Sequence, residues 1–140
     1  MTIPKNNWKI IKTSSEQDKH TALMSIDENK QTWWHSRTSG NGHYITIDLG
    51  ASYSLKAFAY TPQQVHAQGM MAKGVVEVSE DGRTWATADS FEFGNLINDP
   101  STRKHIFSQV VTARYVRITA TEIAGGDNTL AIAELDFFEK

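Results

Sequence analysis

The hydrophobic pattern of this 140-residue chain runs mostly with a period of two. Ile45, Ile47 and Leu49 alternate with Tyr44, Thr46 and Asp48, the signature of a half-buried strand. Leu55 to Thr61 repeats the pattern after a Gly50-Ala51-Ser52 turn and is stopped by Pro62, which cannot donate to a central ladder. Gly74 to Ser79 is β-branched and alternating. The Asp81-Gly82 pair behind it supplies hairpin chemistry before Thr84-Trp85. Further strands are predicted at 104–107, 113–120 and 131–138. A looser one is predicted around Phe91 and Phe93, followed by a long turn containing Ile97, and a short apolar start at Trp8 to Ile11. Residues 20–26 have apolar spacing for about one helical turn. Residues 37–42 and 63–73 read as loops, the second polar and Met-containing. Short strands between turns, without a long amphipathic helix, predict an all-β sandwich, with residues 1–140 forming a single domain.

Composition narrows the function classes. The net charge of -2 comes from scattered side chains, so neither nucleic acid nor an anionic membrane has an electrostatic footprint to bind. The absence of cysteine removes disulfides, thiolate nucleophiles and zinc-thiolate sites. Residues 1–5 lead into polar sequence without the apolar core of a signal peptide. No apolar run approaches the roughly 20 residues that span a bilayer. There is no phosphate-binding glycine loop, no His-Glu-x-x-His and no Gly-x-Ser-x-Gly, so the expectation is a protein that is not an enzyme.

Candidate chemistry concentrates in residues 25–36, from Ser25 to Ser36. Asp27, Asn29 and Thr32 offer oxygens that can converge on one hard cation, and oxygen-only donors favour calcium over zinc or copper. The same residues also suit simple Asx-turns, and spacing alone favours the turns because this is not an EF-hand loop. Trp33, Trp34 and His35 combine apolar faces with a planar polar group, as sugar recognition requires. One tryptophan of the pair is expected in the core. His35 suits a structural histidine or a ligand contact about equally.

Several blocks taken together resemble the discoidin-like, coagulation factor 5/8 type C domains, and among them the family 32 carbohydrate-binding modules. The blocks are Ile26-Asp27-Glu28-Asn29 with Thr32-Trp33-Trp34-His35-Ser36, Tyr44 to Gly50, Val76 to Trp85, Ala113 to Ile118, and Ile132-Ala133-Glu134-Leu135. The resemblance implies a galactose-binding-domain-like jelly-roll β-sandwich. It also implies a structural calcium, held by the Met24 carbonyl, Asp27, Asn29, Thr32, the Ala133 carbonyl and Glu134. Such an ion would tie the first third of the chain to its last strand and close a very long loop.

The same resemblance assigns His35 to sugar hydroxyls. It departs at Gln63, where galactose-binding members carry an Arg after Tyr-x-Pro, and at Asn128, Thr129 and Leu130, where they carry an aromatic platform. The forked donor and the stacking face are therefore missing, and Arg37, Gln63, Gln64 and His66 are the candidate replacements. The loops around 68–74, 91–100 and 122–126 resemble versions appended to bacterial exo-glycosidases such as α-L-fucosidases and β-hexosaminidases or chitobiases. The expected role is a non-catalytic carbohydrate-binding module that brings a parent glycosidase to glycans, secreted or periplasmic. The alternative is a structural domain that docks on the parent catalytic domain and has lost sugar binding, a reading that an exposed patch of Met70, Met71 and Leu96 would favour.

Overall fold

The computed structural model describes every residue except 38, 39, 41 and 67, so part of the loop predicted at 37–42 lies outside the described residues. The strands are β1 (Lys9–Thr13), β2 (Trp34–His35), β3 (Tyr44–Thr61), β4 (Met71–Ser79), β5 (Ala86–Glu92), β6 (Arg103–Ile123), β7 (Ala131–Ile132) and β8 (Glu134–Glu139). Two 3-10 turns, Ala22–Ser25 and Ala124–Gly126, complete the regular structure. The predicted helical turn at 20–26 is the first of these.

Two pairs of predicted strands are single elements. β3 joins 43–49 to 55–61, and β6 joins 104–107 to 113–120, because the two segments pair antiparallel along most of their length. The turn residues between them make a bend instead of a reversal. The ladder shifts register between Asp48 and Tyr53, and Gly50 takes φ 86° there. A Cβ on Gly50 would lie 2.8 Å from the backbone oxygen of Asn7, so the close approach of the first segment also requires glycine.

Hydrogen bonding runs β1-β3-β6-β4-β5, with β8 added to the second half of β3. Along a flat sheet β3 and β5 would stand roughly 14 Å apart, three strand spacings. Yet the rings of Phe58 on β3 and Phe91 on β5 lie 4.9 Å apart, edge to face. The long bent strands therefore carry the ladder from one layer to the other and close a sandwich around Phe58, Phe91, Phe93, Phe107 and Phe137.

The hairpin turn is longer than its Asp-Gly pair suggests. The Asp81 carboxylate accepts the N–H groups of Arg83 (2.8 Å) and Thr84 (2.9 Å), which holds β5 off until Ala86. Met71 to Lys73, read from the sequence as loop, open β4. Met70, Met71 and Leu96 are buried in the core, at 3%, 0% and 2% exposure. They form no exposed docking patch, because apolar side chains at the sandwich end fold inward to close it.

The C-terminal segment positions the candidate sites. β7 pairs with β2, placing His35 opposite Ala131 and Trp34 opposite Ile132. Two residues later β8 pairs with β3, placing Glu134 opposite Thr61.

Candidate functional site

The first half of residues 25–36 is a network of turns facing a buried carboxylate. Asp27 Oδ1 accepts the Asn29 N–H at 3.0 Å, and Asn29 Oδ1 accepts the Gln31 N–H at 2.9 Å. The Thr32 hydroxyl donates to Asp27 Oδ2 and reaches the Asn29 carbonyl at 3.0 Å. Asx-turns are thus present. The loop is brought to β8 by Glu28, whose N–H donates to Glu134 Oε2 at 3.1 Å. Glu28 itself takes the left-handed φ of 61°.

Glu134 is buried, and Lys5 pairs with the same Oε2. Its other oxygen, Oε1, is buried without a hydrogen-bond partner. A bare carboxylate oxygen in the interior is costly, and burial pushes the Glu134 carboxyl up, opposed by Lys5. Met24 lies within the 3-10 turn just before the loop, and Ala133 lies between β7 and β8 beside Glu134. The sequence-assigned set of Met24, Asp27, Asn29, Thr32, Ala133 and Glu134 therefore lies on the loop and segment that meet here. Among the described residues no cluster of three or more His, Cys, Asp or Glu side chains could hold a metal, so an ion here would need amide, hydroxyl and carbonyl oxygens as well.

The second half of the stretch is anchored in the core. Trp34 is fully buried, and its indole N–H donates to the Ser15 carbonyl at 2.9 Å. Trp33 is half-buried under the ring of His20, with centroids 4.3 Å apart and planes at 17°. Neither Trp33 Nε1 nor His20 Nδ1 has a hydrogen-bond partner. His35, half-buried, shares a 2.8 Å hydrogen bond between Nε2 and the Thr129 hydroxyl. Burial holds its imidazole below the usual range, His20 and His43 add to this, and Asp127 opposes it. A neutral imidazole that can accept from or donate to a hydroxyl is the result.

Loops converge beside His35. His43 is buried and bonds the Asn128 carbonyl through Nε2 at 2.7 Å, and the Ser36 hydroxyl accepts the Leu130 N–H at 2.9 Å. Asp127 Oδ2 accepts the Gly69 N–H at 2.9 Å, which ties the 62–70 loop to the 127–131 segment. Gly69 is required there, since a Cβ would lie 2.6 Å from the Ala131 nitrogen. Arg37 is exposed, and its backbone N–H donates to the Ser15 hydroxyl at 2.9 Å.

Gln63 does not replace the missing forked donor. It is 1% exposed, its Oε1 accepts the N–H groups of Val65 and His66 at 2.9 and 2.8 Å, and its amide N–H₂ donates to the His66 carbonyl. A side chain so committed to its own loop shapes the rim from below. Gln64 has an exposed side chain whose amide donates to the Pro62 and Pro100 carbonyls, at 2.6 and 2.9 Å. His66 is exposed on the same loop. Sequence reading passed over His20, His43 and Asp127, which set the environment of His35. Their separation along the chain hides them, and the only signal was an uneven supply of five histidines, three of them within residues 20–43.

A family model described as the F5/8 type C domain matches residues 10–135. Galactose oxidase of Gibberella zeae is 32% identical over 143 residues, covering 98% of this chain and 20% of the oxidase. The chain thus spans about a fifth of the length of the curated relatives it matches. A Clostridium perfringens family 32 carbohydrate-binding module of a family 89 glycoside hydrolase, solved with GalNAc-β-1,3-galactose, superimposes with a TM-score of 0.88 at 27% identity, covering 99% of each chain. The C-terminal domain of a chitobiase from Bacteroides fragilis does so with a TM-score of 0.86 at 25% identity, covering 100% of this chain and 98% of that one.

Proposed function

Because the chain belongs to the F5/8 type C domain family, we propose that it is a non-catalytic carbohydrate-binding module that holds an attached glycan-active enzyme on its glycan. The observation that carries this reading is His35. Its imidazole is kept neutral and is oriented by the Thr129 hydroxyl, where the loops at 62–70 and 127–131 meet β2. That arrangement presents a fixed polar group to a sugar hydroxyl, with Arg37, Gln64 and His66 exposed on the surrounding loops. The likeness to a module solved with a galactose-containing disaccharide supports a glycan ligand.

The parent enzyme is, on this reading, an exported glycoside hydrolase. The likeness to the chitobiase domain supports it, while the match to galactose oxidase marks an oxidase as the competing parent class. A rim without an aromatic platform binds weakly, and tethering then supplies the gain through effective concentration. Titration of the labelled domain with galactose, fucose and N-acetylhexosamines is expected to shift the amide signals of His35, Gly69 and Asn128. His35→Ala is expected to weaken binding at least tenfold. No shifts with any of these sugars would overturn the reading.

The same reading includes one structural calcium. The bare Oε1 of Glu134 supports it, and the ion would draw on Glu134, Asp27, Asn29, Thr32 and the carbonyls of Met24 and Ala133. A bound divalent cation would neutralise carboxylates and clamp residues 24–32 to β8. Calcium is expected to raise the melting temperature and chelation to lower it.

A further inference from the structure

Glu134 is held unevenly. Its Oε2 receives both the Lys5 ammonium and the Glu28 N–H, while Oε1 receives nothing. Lys5 also pairs with Asp136 Oδ1 at 3.0 Å, and only 6% of its side chain is exposed. Its nitrogen stands 5.5 Å from the centre of the Trp8 ring. A lysine so deeply placed at the start of the chain loses rotamer freedom and hydration, and two carboxylates on β8 are what compensate it. A cavity of about 150 Å³ beside it is lined by Lys5, Glu28, Lys30, Glu134 and Asp136. Three acids outnumber two bases there, which leaves the lining with a net charge of -1 when all five groups are ionised.

We propose that Lys5 is a resident counter-ion of the Glu134 and Asp136 carboxylates: it stands in for a divalent ion when none is bound, and opposes the ion's binding when one is. The proposal rests on the calcium reading above. The physical reason is that the ammonium and an ion at Oε1 would share one carboxylate. Each relieves the same negative charge, so the second gains less than the first, and the two positive charges repel. Such coupling is reciprocal: whatever calcium does to the hold of Lys5, Lys5 does to the affinity for calcium.

The test compares wild type, Lys5→Met and Lys5→Arg by thermal melting in EDTA and in saturating calcium, and by calorimetric titration with calcium. Lys5→Met is expected to melt well below wild type in EDTA and to recover most of the difference in calcium. It is also expected to bind calcium about tenfold more tightly, the effect of removing one like charge at close range. Lys5→Arg keeps the charge and should follow wild type.

Should Lys5→Met fold only when calcium is present, the proposal is supported in its strongest form. An equal loss of stability with and without calcium, or unchanged or weaker calcium affinity, overturns it while leaving the calcium site standing. If wild type itself shows no calcium binding, the calcium reading fails and the proposal falls with it. A measurement on the unaltered protein closes the test: calcium should move the NMR signal of the Lys5 ε-methylene, and an unmoved signal overturns the proposal.

Discussion

Residues 25–32 and 33–36 are neighbours in the chain and both close against residues 127–136, yet they are held by opposite chemistry. The first half is a loop of charged and amide groups that bond one another, meeting a buried carboxylate that Lys5 and Glu28 share. The second half is one buried indole and one neutral imidazole, paired with a carbonyl and a hydroxyl. The first half thus depends on how charge is neutralised. The second combines a buried anchor, Trp34, with a half-buried imidazole, His35, that the Thr129 hydroxyl orients.

That contrast can be broken most directly at the anchor. Trp34→Ala removes a fully buried indole and its hydrogen bond, and should cost about 4 kcal/mol in urea unfolding. A loss under about 1 kcal/mol would show that β2 is not held by the core. Next in size is Glu134→Gln, which leaves Lys5 with Asp136 alone. It should cost about 3 kcal/mol and abolish any stabilisation by calcium. His35→Ala sharpens the comparison, because it should weaken sugar binding while changing stability by only about 1 kcal/mol. If it unfolded the domain instead, the division between the halves would be wrong.

The smallest effect is on pH dependence. The folded-state pKa of His35 is lowered from 6.5, so near and below that pH the unfolded chain binds the proton more readily. The contribution is therefore fully present above pH 6.5 and is lost as pH falls through the lower folded value. His35→Gln should flatten that part of a stability profile measured between pH 7 and 5. A profile identical to wild type would count against a neutral, burial-shifted imidazole.

Much of the sandwich was legible because alternation at 44–49, 74–79 and 113–120 is a local signal. It was misread where turn residues sit inside a strand. Gly50-Ala51-Ser52 is a reversal by composition, and becomes a bend only because β6 continues alongside it. Met70 and Met71 were misplaced for a related reason, since a polar neighbourhood hides two core residues, of which Met71 opens β4. Within the site, the burial of one tryptophan of the pair was readable from the motif, and it is Trp34. The consumption of Gln63 by its own loop was not, because nothing in the sequence reveals which amide finds its partners three to five residues away.

By itself the sequence determined the alternating segments, the family and the one stretch where chemistry gathers, since each is written in local periodicity or contiguous motifs. Only the tertiary structure decided which groups share an environment. It set Lys5 on Glu134 across 129 positions and Thr129 on His35 across 94. Burial, and with it protonation and the bare oxygen of Glu134, follows from such distant pairings, because desolvation depends on everything that surrounds an atom and not on its neighbours in the chain.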